Sequence, residues 1–98
     1  MHKFLTDEQL KQYDKLIDED PYLSKDLSDN PIIREVCRAG IWLCNELDKI
    51  GCTIELRNRI QWTAGELSFG RDAWDVHQSL LDDYINGKLV FESDPLSN

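Results

Sequence analysis

Three cysteines and two histidines are the residues of this chain best suited to bind a metal or to act as nucleophile and base. Cys37 and Cys44 stand seven residues apart, and the sequence contains no Cys-x-x-Cys or His-x-x-x-His spacing. On a helix these two cysteines would lie about 10 Å apart along the axis, too far for a disulfide. We therefore expect no metal site and no cofactor, and we interpret both cysteines as small apolar residues of the core.

Patterns for catalysis are also missing from the sequence. It has no Gly-x-Ser-x-Gly motif and no glycine-rich phosphate loop. His77, the best candidate for a base, falls on an apolar helical face, where a packed histidine is the simpler interpretation. A calcium loop starting at Asp18 fails because Tyr22 and Leu23 stand where an oxygen ligand and a glycine are required. The sequence therefore predicts a protein that is not an enzyme and has no catalytic residues.

Two tryptophans indicate that the protein acts through a surface. Trp42 lies nearly opposite the apolar stripe that we assign to its helix, beside Arg38. Trp62 is displaced from the apolar stripe of its own segment. Because tryptophan is enriched at the centres of interfaces, we predict that Trp42, Arg38 and Trp62 bind another protein. The alternative is that other parts of this chain cover both rings.

Acidic residues outnumber basic ones and give the chain a net charge of −8, with the excess towards the two ends of the sequence. Asp18, Glu19 and Asp20 form one cluster, and Asp82 and Asp83 form another. We predict that both clusters dock to a basic protein surface, although solvated helix ends have the same composition. An alternative function is an acidic mimic of nucleic acid, of the phage type that inhibits nucleases, CRISPR complexes or other defence systems.

A third function class is a DNA-binding regulator. The segment Leu47–Thr53 resembles the turn of a helix-turn-helix around Gly51. However, Leu47 stands where that motif has a small residue, and Glu46 and Arg57 occupy positions that it buries. A net negative charge also disfavours contact with phosphates, so we do not expect direct binding to nucleic acid. A helical hairpin joined by a glycine explains the same residues.

Four helices are expected to position these residues. Thr6 and Gln9 form a capping box, and Asn30 followed by Pro31 pairs an N-cap with a proline at the first helical position. Gly51 suits the left-handed residue that follows a helix. The predicted bounds are Thr6–Glu19, Pro31–Ile50, Thr53–Ser68 and Asp72–Asn86.

The second and longest helix is expected to be the central one. Its apolar residues recur at helical spacing and predict a single core face. That face comprises Ile33, Val36, Cys37, Gly40, Ile41, Cys44, Leu47 and Ile50. Before this helix we expect a loop or one helical turn over 22–29, with Tyr22, Leu23 and Leu27 on the core.

The segment Thr53–Ser68 fits two structures. As a helix it places Leu56, Ile60 and Ala64 together, and as a β-hairpin over 52–64 its apolar residues alternate with polar ones. We favour the helix because a lone two-stranded hairpin is only marginally stable. The predicted fold class is an all-α compact bundle of three or four helices, and the alternative is α+β with a small hairpin at 52–64.

The chain is short enough for one core, so we expect a single helical domain over 1–91 and a flexible acidic tail over 92–98. We expect Leu89–Phe91 to fold back onto the core. No apolar run approaches the length of a membrane span and residues 1–8 turn acidic, which favours a cytoplasmic protein without membrane contact. The preferred function is a small acidic protein-binding module, regulatory or inhibitory, which could also self-associate as a homodimer.

Overall fold

The computed structural model describes residues 2–89, which fold into five α-helices and no strand. The helices are α1 (Asp7–Asp18), α2 (Lys25–Ser28), α3 (Pro31–Lys49), α4 (Ile54–Leu67) and α5 (Ala73–Ile85). The predicted all-α class is therefore confirmed, and the alternative hairpin over 52–64 is wrong. α2 is the single helical turn expected between residues 22 and 29.

Local capping sets the ends of the helices where the sequence predicts them. The Thr6 hydroxyl accepts from the amide of Gln9 and the Gln9 side chain accepts from the amide of Thr6, which completes the capping box of α1. Asn30 accepts from two amides in the first turn of α3. At the other end of α3, Gly51 has a φ of +81°, and the next amide, that of Cys52, donates to the carbonyl of Leu47. Only glycine adopts this conformation without strain, so α3 stops at this point.

α3 is the central helix, and the other helices pack against it. Asp14 in α1 pairs with Arg38 in α3. One turn further along α1, Asp18 pairs with Arg34, one turn earlier in α3. The two helices are therefore antiparallel.

α3 and α4 form an antiparallel helical hairpin. Arg57 pairs with Asp48 at 2.8 Å next to the connecting turn, and further from the turn along both helices the Gln61 side chain lies against Gly40. Contact that continues away from the turn is what the helical-hairpin interpretation of this segment predicts.

The core consists of two clusters that meet at Trp42. The larger cluster joins α3, α4 and α5 through residues such as Leu43, Ile60 and Leu80, and the smaller one surrounds Trp74. Trp42 is partly buried and packs against both clusters. The buried positions of α3 are Ala39, Gly40, Leu43 and Leu47, so its core face is rotated towards Trp42 from the predicted stripe. The prediction that Trp42 faces away from the core is wrong, because the N-terminal segment and α5 cover that side of α3.

Three further expectations concern the segments between and after the helices. Tyr22 does not pack on the core, since it is 96% exposed, and Leu27 is also exposed. Leu89 packs against the larger cluster, as expected. Val90, Phe91 and the predicted tail over 92–98 lie outside the described residues. Within residues 2–89, no helix combines the length and apolar character that a membrane crossing requires.

Candidate protein-binding site

A continuous apolar groove runs along the outer side of the α3–α4 hairpin. One hollow of about 370 Å³ lies between α2, α3 and the end of α4, and a second of about 430 Å³ adjoins it along α4. The two hollows share Val36, Gly65 and Phe69 and so form one surface, which we call the α3–α4 groove. Its lining residues are Leu27, Ile32, Ile33, Val36, Gln61, Trp62, Gly65, Glu66, Ser68, Phe69 and Gly70.

α4 contributes to the groove because it carries two apolar stripes. Ile60 and Ala64 face inward and are fully buried. Trp62 and Gly65 lie three residues apart on the outer side of α4, and Phe69 follows in the turn after the helix. This second stripe, which Phe69 continues beyond the end of α4, faces outward.

The side chains at the edges of the groove are exposed to an unusual degree. Ile32 is 74% exposed, Trp62 71% and Phe69 86%. A single exposed apolar residue is common on protein surfaces, but a contiguous apolar patch marks an interaction site. The Trp62 indole N–H donates to the Glu66 carboxylate at 2.9 Å, which orients the ring and leaves its apolar faces open to a partner.

Gly65 forms part of the floor of the groove. It lies inside α4, and a Cβ built on it would meet no other atom within 4 Å. The absence of a side chain deepens the groove between Trp62 and Phe69. Gly65, Ile32 and Phe69 were not identified from the sequence as site residues, although the spacing of Trp62, Gly65 and Phe69 contains the signal.

Two of the predicted protein-binding residues do not lie on a free surface. The Trp42 ring contacts the Trp74 ring edge to face, with 5.8 Å between centroids. The Arg38 guanidinium donates to both oxygens of Asp14, at 2.8 and 3.0 Å, and to Glu35 at 2.6 Å. Trp42 and Arg38 therefore hold the fold together. Trp62 is the predicted residue that the structure places on an open apolar surface.

The predicted acidic clusters lie at opposite ends of α3. Asp18 pairs with Arg34 in the second turn of α3 at 2.6 Å, and Glu19 and Asp20 follow it on the exposed surface. Asp82 and Asp83 stand in the last turn of α5, next to Tyr84, which packs against the core cluster that includes Cys52, beyond the end of α3. The structure does not bring the two clusters together, and neither lines the α3–α4 groove.

The candidate chemical groups lie in the interior or along a different cleft. Burial raises the pKa of the Cys37 and Cys44 thiols, which line a cleft between α1, α3 and α4. His77 is fully buried, and its Nδ1–H donates to the carbonyl of Ala73 at 2.7 Å. Burial lowers the pKa of His77, so the imidazole is neutral at pH 7. Among residues 2–89, no three His, Cys, Asp or Glu side chains are placed to hold a metal ion.

No protein family, curated protein or solved structure matches this chain.

Proposed function

We propose that this protein is a non-enzymatic binding module, regulatory or inhibitory, that docks to another protein through the α3–α4 groove. The observation that carries the proposal is the uncovered second apolar stripe of α4, with Trp62 and Phe69 exposed on either side of Gly65. Neither residue contributes to the two core clusters. A partner that covers Trp62 and Phe69 would therefore bury apolar surface that is exposed in the free protein.

The chemistry of the groove suits a protein ligand. Its lining is mostly apolar, with two aromatic side chains at its edges, and its polar lining side chains are Gln61, Glu66 and Ser68. Interfaces commonly combine an aromatic, desolvated centre with a polar rim, and truncation of a central tryptophan typically costs more than 2 kcal/mol of binding. The groove is lined by residues of two antiparallel helices, and grooves between helices receive a helix of a partner protein.

Affinity capture from a lysate of the source organism tests the proposal. The groove variant carries Ile32→Glu and Phe69→Glu, which place two charges on exposed positions of the apolar surface. The matched control carries Tyr22→Glu and Ile85→Glu, which are also an exposed aromatic and an exposed isoleucine but lie outside the groove. Quantitative mass spectrometry should show a specific protein that the wild type and the control enrich and that the groove variant loses at least tenfold.

Three results would argue against this function. Equal capture by the wild type and the groove variant would show that the groove does not take part in the interaction. Equal loss with the control would show that added negative charge, not the groove, weakens binding. Capture that is lost when Asp82 and Asp83 are replaced by lysine, but kept by the groove variant, would instead support the acidic mimic of nucleic acid.

A further inference from the structure

We propose that the α3–α4 groove receives an amphipathic helix of a basic partner protein and that Gly65 is the socket for one large apolar side chain of that helix. This inference rests on the function proposed above and names its partner class. Among the five glycines of the chain, Gly65 is the one at which neither the backbone conformation nor the packing requires glycine.

At the other four positions, backbone conformation or close packing explains why the residue is glycine. Gly51, Gly70 and Gly87 have positive φ values, which side chains disfavour. Gly40 is buried, and a Cβ on it would come within 3.2 Å of the Gln61 amide. Gly65 has neither reason, since it sits in regular helix and a Cβ would enter open space.

A glycine in the middle of a helix also weakens that helix. Replacement of alanine by glycine at such a position costs about 1 kcal/mol, because the glycine backbone loses more freedom on folding. Gly65 lines both hollows of the groove, and a Cβ on it would enter open space. Its missing side chain therefore leaves room in the groove for an atom group from outside.

The shape of the groove favours a helix as the occupant. Its walls are Ile32, Ile33 and Val36 on α3, Trp62 on the antiparallel α4 and Phe69 in the turn after α4. A third helix can lie along two antiparallel helices at the usual interaxial distance of 8–10 Å, and a small residue opposite a large one permits that approach.

Charge distinguishes a basic partner from a second copy of the chain. The net charge is −8, so a second copy would bring a like charge to the interface, whereas a basic helix would be attracted. Glu66, a lining residue, carries a further negative charge at the groove. The charge of the molecule therefore favours a cationic ligand.

The test uses two fluorescein-labelled peptides of 15 residues, one an amphipathic Leu/Lys helix and one with every lysine replaced by glutamate. Binding is measured by anisotropy with wild type, Gly65→Leu, Gly65→Ala and a control, Ser79→Leu, which adds the same side chain at an exposed position of α5 outside the groove. Thermal unfolding checks each variant, and Gly65→Ala should raise the Tm by about 4–8 °C. We expect the Leu/Lys peptide to bind the wild type and Ser79→Leu within twofold of each other, and Gly65→Leu at least tenfold more weakly.

Several outcomes would overturn the inference and leave the proposed function intact. If Gly65→Leu binds the Leu/Lys peptide as the wild type does, while Ile32→Glu with Phe69→Glu does not, the groove is used but Gly65 is not a socket. Equal binding of the Leu/Glu peptide would exclude a basic partner. A sedimenting dimer that only the groove variant dissociates would make a second copy the occupant. The proposed function fails separately, when the groove variant keeps the partner captured from lysate.

Discussion

Trp74 and Trp62 each donate an indole N–H to a glutamate, Trp74 to Glu35 at 2.6 Å and Trp62 to Glu66 at 2.9 Å. The surroundings of the two rings differ. Phe4 stacks on Trp74 with 4.9 Å between centroids, and Trp42 meets the Trp74 ring edge to face. Trp74 is 5% exposed and Trp62 71%. A tryptophan–glutamate pair is therefore covered by other side chains at Trp74 and exposed to solvent at Trp62.

The exposure of Trp62 therefore does not follow from its pairing with a glutamate. The partner of Trp74 is distant in sequence, and Glu35 also accepts from His2 and Arg38, so the pair ties three parts of the chain together. The partner of Trp62 is four residues away on the same helix. Trp74 therefore belongs to the fold, whereas Trp62 is available for binding.

The largest expected effect is that of Trp74→Ala. It removes the centre of the smaller core cluster and leaves a cavity beside Phe4 and Trp42. We expect the free energy of unfolding to fall by about 3–5 kcal/mol, measured by urea denaturation with circular dichroism. A loss below about 1 kcal/mol would contradict the distinction between the two tryptophan regions.

Glu35→Gln should have the next largest effect. The amide has one carbonyl oxygen where the carboxylate has two, and it loses the charge that Arg38 and Trp74 bind. We expect a loss of about 1–3 kcal/mol by the same measurement. The matched change Glu66→Gln breaks up no contact between distant segments, and we expect less than about 0.5 kcal/mol. Equal losses would mean that the two pairs are equivalent.

Acidic pH should weaken the hydrogen bonds that Glu35 accepts in the covered region. Burial raises the pKa of Glu35, but hydrogen bonds from Trp74, His2 and Arg38 outweigh it and hold the pKa below the ordinary value of 4.5. As pH falls below that value, the unfolded chain binds a proton that the folded chain does not, so stability is lost. We expect the slope of stability against pH between 5 and 3 to decrease in Glu35→Gln, by up to about 1.4 kcal/mol per pH unit. An unchanged slope would contradict this role of Glu35.

Trp62→Ala should have the smallest effect on stability. The ring is exposed and its hydrogen bond lies within one helix, so we expect a change within about 0.5 kcal/mol, with unchanged helical circular dichroism. The same variant should lose the partner that the wild type captures. A loss of stability above about 1.5 kcal/mol would show that the chain itself covers this ring in solution.

Local features of the fold could be predicted from the sequence, because they depend on neighbouring residues. The side chains of Thr6 and Asn30 accept hydrogen bonds from amides two or three residues further on, and α1 and α3 begin after them as expected. Gly51 has a positive φ, and α3 ends before it as expected. The core face of α3 could not be placed from its own pattern. Cysteines and isoleucines that are only half-buried shifted the predicted stripe away from Trp42.

Long-range pairing limited the prediction of the site. The Glu35 bond to Trp74 spans 39 positions and has no local signature, so the covering of Trp42 and Trp74 could not be foreseen. The groove combines α2, the first half of α3 and the end of α4, and only its α4 stripe is visible in one segment. The sequence thus indicated the exposed Trp62 but not the surface around it.

The attachment of α1 has a consequence for the order in which the molecule opens. The backbone of α1 lies close to those of α2 and α3 but not to those of α4 or α5, and two arginines of α3 hold α1 through Asp14 and Asp18 in addition to its buried Tyr13 and Ile17. Partial opening in solution should therefore begin at α1, whose backbone amides would exchange with deuterium before those of α3 and α5. High salt should hasten that exchange by screening the ion pairs, while the inner helices remain protected.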